Sequence, residues 1–486
     1  MKAISTKKET KLDMTHGPIM KLVILFAIPM VIGNILQQLY TTVDTLVIGN
    51  FCGHTSIAAI GTSSQPLEVF MCIFMGIGSG VSILVSRCTG AGNREELQKI
   101  INGATSFTYL VAIPLTVVGI ALTPAILHLM QVPADTWDPA VLYIRIVFLG
   151  LLGNMGYNMN AGILRGLGDS VASLVFLVIS CLTNVVLDFV FVAGFGMDVS
   201  GAAFATIIAM YLSWFASILY IKKKYPEITF RILPRRPRKE TMHEIISLGL
   251  PLGMNNSLYT VGHIVLQSLI NTQGSEFMAG ASVCGKIMGV SSIATASFSA
   301  AMCTFAGQNY GAGNYERLRQ GARRIPAFSA LITISLGIIM FIAGPHMVHW
   351  FTDDPMTTEY ALLILHIQLP FQWCFGVLNC ILNLANGIGD VKFSTVVNLL
   401  MLWAVRIPSA YLIATFIDGH YVSAGVSISF TFGIIASLFY FTTNSWKEVR
   451  RKAAEAQKVH ECEILPCTER AGIMIPELRT NFRKAV

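Results

Sequence analysis

Charge is what this chain has least of. Of its 486 residues, 34 are Lys or Arg and 27 are Asp or Glu, 13% in all. An ordinary soluble domain carries roughly 25%. The few charges are also crowded: residues 1–20, 222–244 and 447–486 hold 6, 11 and 15 of them, leaving about 7% for everything between. This scarcity excludes an ordinary soluble enzyme and points to a polytopic helical membrane protein. Paired cysteines are missing too. Cys52, Cys72, Cys88, Cys181, Cys284, Cys303, Cys374 and Cys380 lie singly in or beside apolar runs, where free Cys behaves as a small apolar residue. Cys462 and Cys467 make a lone CxxxxC in the tail, which is no metal signature. No nucleophile–base pair is legible, so an enzyme is not expected, nor a cofactor or metal beyond a coupling ion. The basic N-terminus (Lys2, Lys7, Lys8, Lys11) precedes a run too long for a signal-peptide core, with no cleavage site after it, so the first span is read as retained.

What is there is a series of apolar runs, near 21–48, 55–86, 99–123, 139–163, 170–193, 199–221, 243–270, 278–306, 323–350, 358–386, 391–416 and 422–446. Runs of this length are helices, since barrel strands are shorter and alternate. The breaks after odd-numbered spans lack Lys and Arg and carry acids such as Asp135, Asp198, Asp353 and Asp418. Arg87, Arg94, Arg165, Lys222–Lys239, Arg317, Arg319 and Lys392 mark the alternate breaks or their edges. The positive-inside rule puts both termini in the cytoplasm of a cell-membrane protein. The net charge of +7 then follows from topology, and no nucleic-acid partner is expected.

An internal repeat divides the chain. Gly90-Ala91-Gly92-Asn93 recurs as Gly311-Ala312-Gly313-Asn314, and Gly166-Leu167-Gly168-Asp169 as Gly387-Ile388-Gly389-Asp390, both at an offset of 221. Asn158 matches Asn379 at 221, and Pro29 and Asn34 match Pro251 and Asn256 at 222. A unit of six spans is even, so both halves face the same way, a parallel repeat with a cavity between the lobes. The expected fold is an all-α polytopic membrane protein: cytoplasmic tail 1–20, N-lobe 21–221, basic linker 222–242 with Pro226, Pro234 and Pro237, C-lobe 243–446, and cytoplasmic tail 447–486.

Several spans carry polar stripes at helical spacing. Asn34, Gln37, Thr41 and Asp44 mark span 1; Asn256, Tyr259, His263 and Gln267 span 7; Gln368, Gln372, Asn379, Asn383 and Asn386 span 10. One or two amides per helix serve interhelical hydrogen bonds, whereas four or five on one face favour a wet cavity. Beyond the first and last two residues of the spans, the only acids are Asp44, Glu68 and Asp188. A carboxylate at mid-membrane costs roughly 2.5–3.5 kcal/mol. Asp44 and Asp188 fall in the same outer third, and Asn184 shares the Asp188 face. Two carboxylates in one low-dielectric pocket cannot both ionise cheaply, so the pair reads as a site for a proton or Na+, with pairing to Arg145 the plainer alternative. Glu68 reads either as a cleft residue attracting a cation or as a helix-terminus partner.

On these residues the chain resembles the multidrug and toxic compound extrusion (MATE) family from about 15 to 446. Gly201-Ala202-Ala203-Phe204-Ala205-Thr206 at the start of span 6 and Arg406-Ile407-Pro408 in span 11 add to the likeness. The resemblance implies two six-helix lobes around a cleft and antiport of organic cationic or amphipathic compounds against H+ or Na+. It implies an ion-coupling site at Asp44, Asn184, Asp188 and Thr206, and a first helix that bends near Pro29. The substrate cleft is expected at Asn34, Gln37, Thr41, Glu68, Asn158, Asn256, Tyr259, His263, Gln372 and Asn379. The second-lobe cation site of some relatives is absent here: Tyr259 stands where its Glu would fall, Leu266 is the repeat counterpart of Asp44, and the body of span 10 has no acid. Coupling is therefore expected in the N-lobe, driving alternating access in a monomer whose partners are drug-like small molecules and the lipid bilayer. The alternative reading is a flippase of lipid-linked oligosaccharide or a related lipid precursor, which would need a strongly cationic cleft.

Overall fold

The computed structural model describes residues 12–52, 54–129, 132–230 and 237–464. Lys2, Lys7, Lys8, Lys11, Pro234, Cys467 and the rest of the tail beyond 464 lie outside the described residues. The first lobe comprises α1 (Ile19–Phe51), α2 (His54–Gly90), α3 (Arg94–Leu129), α4 (Ala134–Leu149), α5 (Leu151–Gly166), α6 (Ser170–Asp188) and α7 (Asp198–Lys224). The second comprises α8 (Lys239–Asn271), α9 (Ser275–Gly311), α10 (Tyr315–His349), α11 (Pro355–Gln368), α12 (Gln372–Ile388), α13 (Val391–Leu399), α14 (Ile407–Phe416) and α15 (Ala424–Leu438). A further helix, α16 (Asn444–Ile464), occupies part of the stretch read as tail and packs on α10.

The protein is a multi-pass membrane protein. Among the described residues, ten helical stretches are long and apolar enough to cross a bilayer, or eleven if α4 and α5, bent by 45°, count as one. The expected count of twelve differs because of α8, whose Asn255, Asn256, His263 and Gln267 hold its hydropathy down. Several expected spans are interrupted. Gly150 separates α4 from α5, a 3-10 turn Leu369–Phe371 separates α11 from α12, and a π-helical segment Leu400–Arg406 joins α13 to α14. Apolar side chains such as Val117 (65% exposed) and Ile342 (72%) point outward, as a surface facing hydrocarbon requires.

The duplicated tetrapeptides are turns. Gly92 and Gly313 sit at φ +65° and +72°, and Gly168 and Gly389 at +89° and +96°. These left-handed conformations favour glycine, which is why the motif survives in both halves. The repeat is equally plain in packing. A Cβ on Gly166 would meet the Ser82 carbonyl at 2.7 Å, and one on Gly387 would meet the Cys303 carbonyl at 2.5 Å. Across the lobes, Gly90 abuts Gln308 while Gly311 abuts Arg87. Each of those residues is the counterpart of another at 221, so a two-fold axis passes between the ends of α2 and α9.

α1 belongs to both lobes. Val23, Phe26 and Ala27 pack with Met302 and Phe305 of α9, and its far end, Val47 and Ile48, packs with Val192 and Ala202 of the first lobe. Pro29 lies between these anchored halves, where its ring removes one helical hydrogen bond.

Candidate functional site

Asp188 ends α6, and a π-helical segment, Phe189–Gly194, follows it directly. π-turns cluster at functional positions because they re-aim side chains within an otherwise regular helix. One turn earlier, Asn184 bridges outward. With its amide oriented to satisfy both neighbours, the nitrogen donates to Asp188 Oδ2 (2.7 Å) and the oxygen accepts from the Thr206 backbone N–H (3.0 Å) and hydroxyl (3.2 Å). Asn184 and Asp188 are 2% and 1% exposed. Asp44 enters from α1, and its carboxyl contacts that of Asp188 directly. Asp44 Oδ1 and Asp188 Oδ1 are buried with no protein partner. Tyr40, one turn before Asp44, hydrogen-bonds Thr206, and Tyr143 of α4 lies beside both carboxyls.

A hydrogen bond between two carboxyl groups needs a proton on one of them. Among the described residues no Lys or Arg pairs with either acid, and Arg145 is exposed. The arrangement therefore suits a transferable proton or a small monovalent cation. No cluster of three or more His, Cys, Asp or Glu with metal-site geometry occurs among the described residues.

Beside this pair lies a cavity of about 410 Å³. Of the expected cleft residues, Asn34, Gln37, Asn158 and Asn256 line it, with Pro29. Tyr40, Asn184 and Thr206 belong to its wall as well, so cation pocket and cavity share side chains. The Asn34 amide also donates to Ser297 of α9 at 3.2 Å, and Asn158 donates to Asn154 at 3.0 Å.

The other expected cleft residues lie elsewhere. Thr41 is exposed and donates to the Gln38 carbonyl of its own helix. Glu68 is exposed. Asn379 and Asn383 donate to carbonyls one turn back (2.9 and 3.0 Å), and Gln372 is buried within the second lobe. Tyr259 and His263 meet edge to face, ring centres 4.7 Å apart, in a separate second-lobe cluster with Arg406.

Sequence reasoning missed Arg165 and a set of methionines. Arg165, read as a charge in a cytoplasmic break, lines the cavity, as do Met30, Met71, Met75 and Met210. The Met71/Met75 spacing of one helical turn was the available signal. For Arg165 the signal was its place among glycines, with Gly162, Gly166 and Gly168 within three residues of it.

A MatE family model matches residues 29–190 and again 251–412, two segments offset by 222 that together cover most of the chain. The probable multidrug resistance protein YpnP of Bacillus subtilis (strain 168) is 26% identical over 439 residues, covering 90% of this chain and 98% of that protein. The probable multidrug resistance protein NorM of Thermotoga maritima is 25% identical over 457 residues, 91% of this chain and 96% of that one. Among solved structures, the outward-facing conformation of a multidrug resistance MATE family transporter of the MOP superfamily superposes with a TM-score of 0.82 at 20% identity. It covers 94% of this chain and 100% of that one.

Proposed function

Because the chain belongs to the MatE family, we propose that it exports cationic or amphipathic drug-like molecules in exchange for H+ or Na+, with the exchange site in the first lobe. One observation carries the reading. The Asp44 and Asp188 carboxyls touch, have no cationic partner among the described residues, and share Tyr40, Asn184 and Thr206 with the cavity wall. A cavity of about 410 Å³ lies within the roughly 300–1,000 Å³ that drug-sized ligands occupy. Four methionines on its wall suit varied apolar shapes, because Met repacks readily.

The mechanism follows from α1. Its first half is anchored on the second lobe and its second half carries Asp44. When the pocket holds a proton or Na+, the two acids attract and α1 lies against α6. When it empties, two adjacent carboxylates repel, and the Pro29 joint lets the second half move. Either step displaces Asn34, Gln37 and Tyr40 on the cavity wall, which changes the fit to a bound drug. With the basic end in the cytoplasm, ion entry from outside drives export. One charge crossing 100 mV supplies about 2.3 kcal/mol, and one pH unit about 1.4 kcal/mol.

Asp44→Asn and Asp188→Asn test this in proteoliposomes under separate proton and sodium gradients. Gradient-driven export is expected to fall to background in either variant, and the gradient that supports the unmodified protein identifies the ion. Undiminished export in both variants would defeat the reading. Arg165 gives an anionic headgroup one partner, which favours the flippase alternative. A single arginine in 410 Å³ is a poor match to a lipid-linked oligosaccharide, and a scramblase assay with such a lipid separates the two.

A further inference from the structure

Arg406 closes the π-helical segment of the second lobe and is 1% exposed. Its Nε donates to Ser429 Oγ at 2.9 Å and its Nη1 to the Tyr259 hydroxyl at 3.2 Å. The guanidinium carbon lies 5.1 Å from the Phe430 ring centre and 5.7 Å from that of Tyr259. Two hydroxyls and two ring faces disperse a positive charge without neutralising it. No carboxylate pairs with Arg406 among the described residues, and a guanidinium does not shed its proton in a protein. A buried charge left uncompensated is costly.

Two further observations show where compensation fits. Arg406 Nη2 has no protein partner, and neither has Ser423 Oγ just before α15. Both residues line a cavity of about 110 Å³, with Gln368 as a third polar wall residue and Phe277, Ile364 and Val426 on its apolar side. The space admits a small ion with a few waters and falls well short of the roughly 300–1,000 Å³ of a drug-sized pocket.

We propose that this cavity binds a small monovalent anion of the chloride type, held by Arg406 Nη2 and the Ser423 hydroxyl. The repeat gives the site a meaning. Val199-Ser200 before the body of α7 recurs as Val422-Ser423 at an offset of 223, while the preceding turns repeat at 221. Across those offsets the counterpart of Asn184 falls at 405–407, which brackets Arg406. The place that in the first lobe holds two acids therefore holds a guanidinium in the second. One lobe is built for a cation and the other for an anion.

The test is thermal unfolding of the purified full chain, titrated with sodium chloride or bromide against sodium gluconate at constant ionic strength, together with diffraction from bromide-containing crystals. Halide is expected to raise the melting temperature saturably where gluconate, too large for the cavity, does not. An anomalous bromide peak is expected between Arg406 and Ser423. Ser423→Ala should weaken the apparent halide affinity about fivefold, the worth of one ordinary hydrogen bond, and Arg406→Gln should abolish the response. Should Arg406→Gln fail to fold, Ser423→Ala and the bromide peak decide. Asp44→Asn should keep the halide response, so that failure of the first-lobe site leaves this one standing. Identical melting in halide and gluconate, or no bromide density in the cavity, overturns the proposal. A saturable acetate response with none to halide assigns the site to a carboxylate and overturns it as well.

Discussion

Asp169 and Asp390 occupy equivalent places in the repeat, yet their surroundings differ. Asp169 is fully buried. Its Oδ1 accepts from the Ala172 backbone N–H at 3.1 Å, capping α6, and its Oδ2 accepts from Tyr220 (2.9 Å), Lys224 (2.9 Å) and Tyr225 (3.0 Å). Among the described residues, the Asp390 carboxylate accepts only from the Ser445 hydroxyl, at 2.9 Å. Asp169→Ala leaves the buried Tyr225 and part-buried Tyr220 phenols without their acceptor and the partly exposed Lys224 ammonium with Tyr220 alone, at a cost of about 1–3 kcal/mol for each buried group left unsatisfied. Asp390→Ala loses about 1 kcal/mol. Thermal unfolding of the two purified variants should rank them in that order, and equal losses would contradict it. The turn itself was legible in the duplicated tetrapeptide. Its partners, 51 to 56 residues further on, were not, because no local pattern ties Tyr220 or Lys224 to Asp169. Asp44 and Asp188 stood out because a carboxylate in an apolar run is costly. Arg165 did not, because a cation near a break is ordinary, and only the bend at Gly150 directs α5 along the cavity.

At the scale of elements, the lobes meet along α2 and α8, which run antiparallel. A Cβ on Gly76 would lie 2.1 Å from the Gly253 nitrogen, and one on Gly80 would lie 2.7 Å from Gly249. Each helix presents two glycines four residues apart, the spacing that lets helix backbones touch in a membrane. The contact is backbone on backbone, so no side chain can yield to an added methyl. Gly76→Ala and Gly253→Ala should each force the lobes apart at a cost of about 1–3 kcal/mol, lowering the melting temperature and reducing export. A variant with unaltered melting and export would show that α2 and α8 separate freely. Pro251, midway between Gly249 and Gly253, was visible as the partner of Pro29 in the repeat, but its neighbours' packing role was not: glycine is common in membrane helices and marks no partner by itself. The π segments after Asp188 and before Ile407 were equally hidden, since an extra residue per turn changes register without changing composition.

For the whole molecule, the described state is one in which the lobes are closed at the basic end, and an extra segment fastens that closure. Residues 12–17 cross from lobe to lobe. Leu12 donates its backbone N–H to the Gly168 carbonyl (3.1 Å), and Met14 donates to Gln308 Oε1 (3.0 Å). Gln308 in turn donates to the Gly166 carbonyl (3.2 Å), and Arg317 donates to the Met14 carbonyl (3.1 Å) and the Gly17 carbonyl (2.6 Å). Nothing in the pattern of spans announces this segment, because it precedes α1 and lies outside the apolar runs. Its place at the two-fold axis makes it a fastening between the two lobes, which would part there under the exchange proposed above. Gln308→Ala removes both bridging bonds from a buried position, each worth about 1–3 kcal/mol when its partner is left unsatisfied. The closed state should lose stability relative to the open one, so amides in the two turns, 87–93 and 308–314, should exchange hydrogen about 5- to 100-fold faster. Arg317→Ala, whose bonds are partly exposed, should accelerate the same amides less, and exchange in α13 to α15, far from the axis, should stay unchanged. Hydrogen exchange read by mass spectrometry measures all three regions in one experiment. Acceleration spread evenly over both lobes would mean that Gln308 supports the fold generally and that the segment does not hold the lobes together.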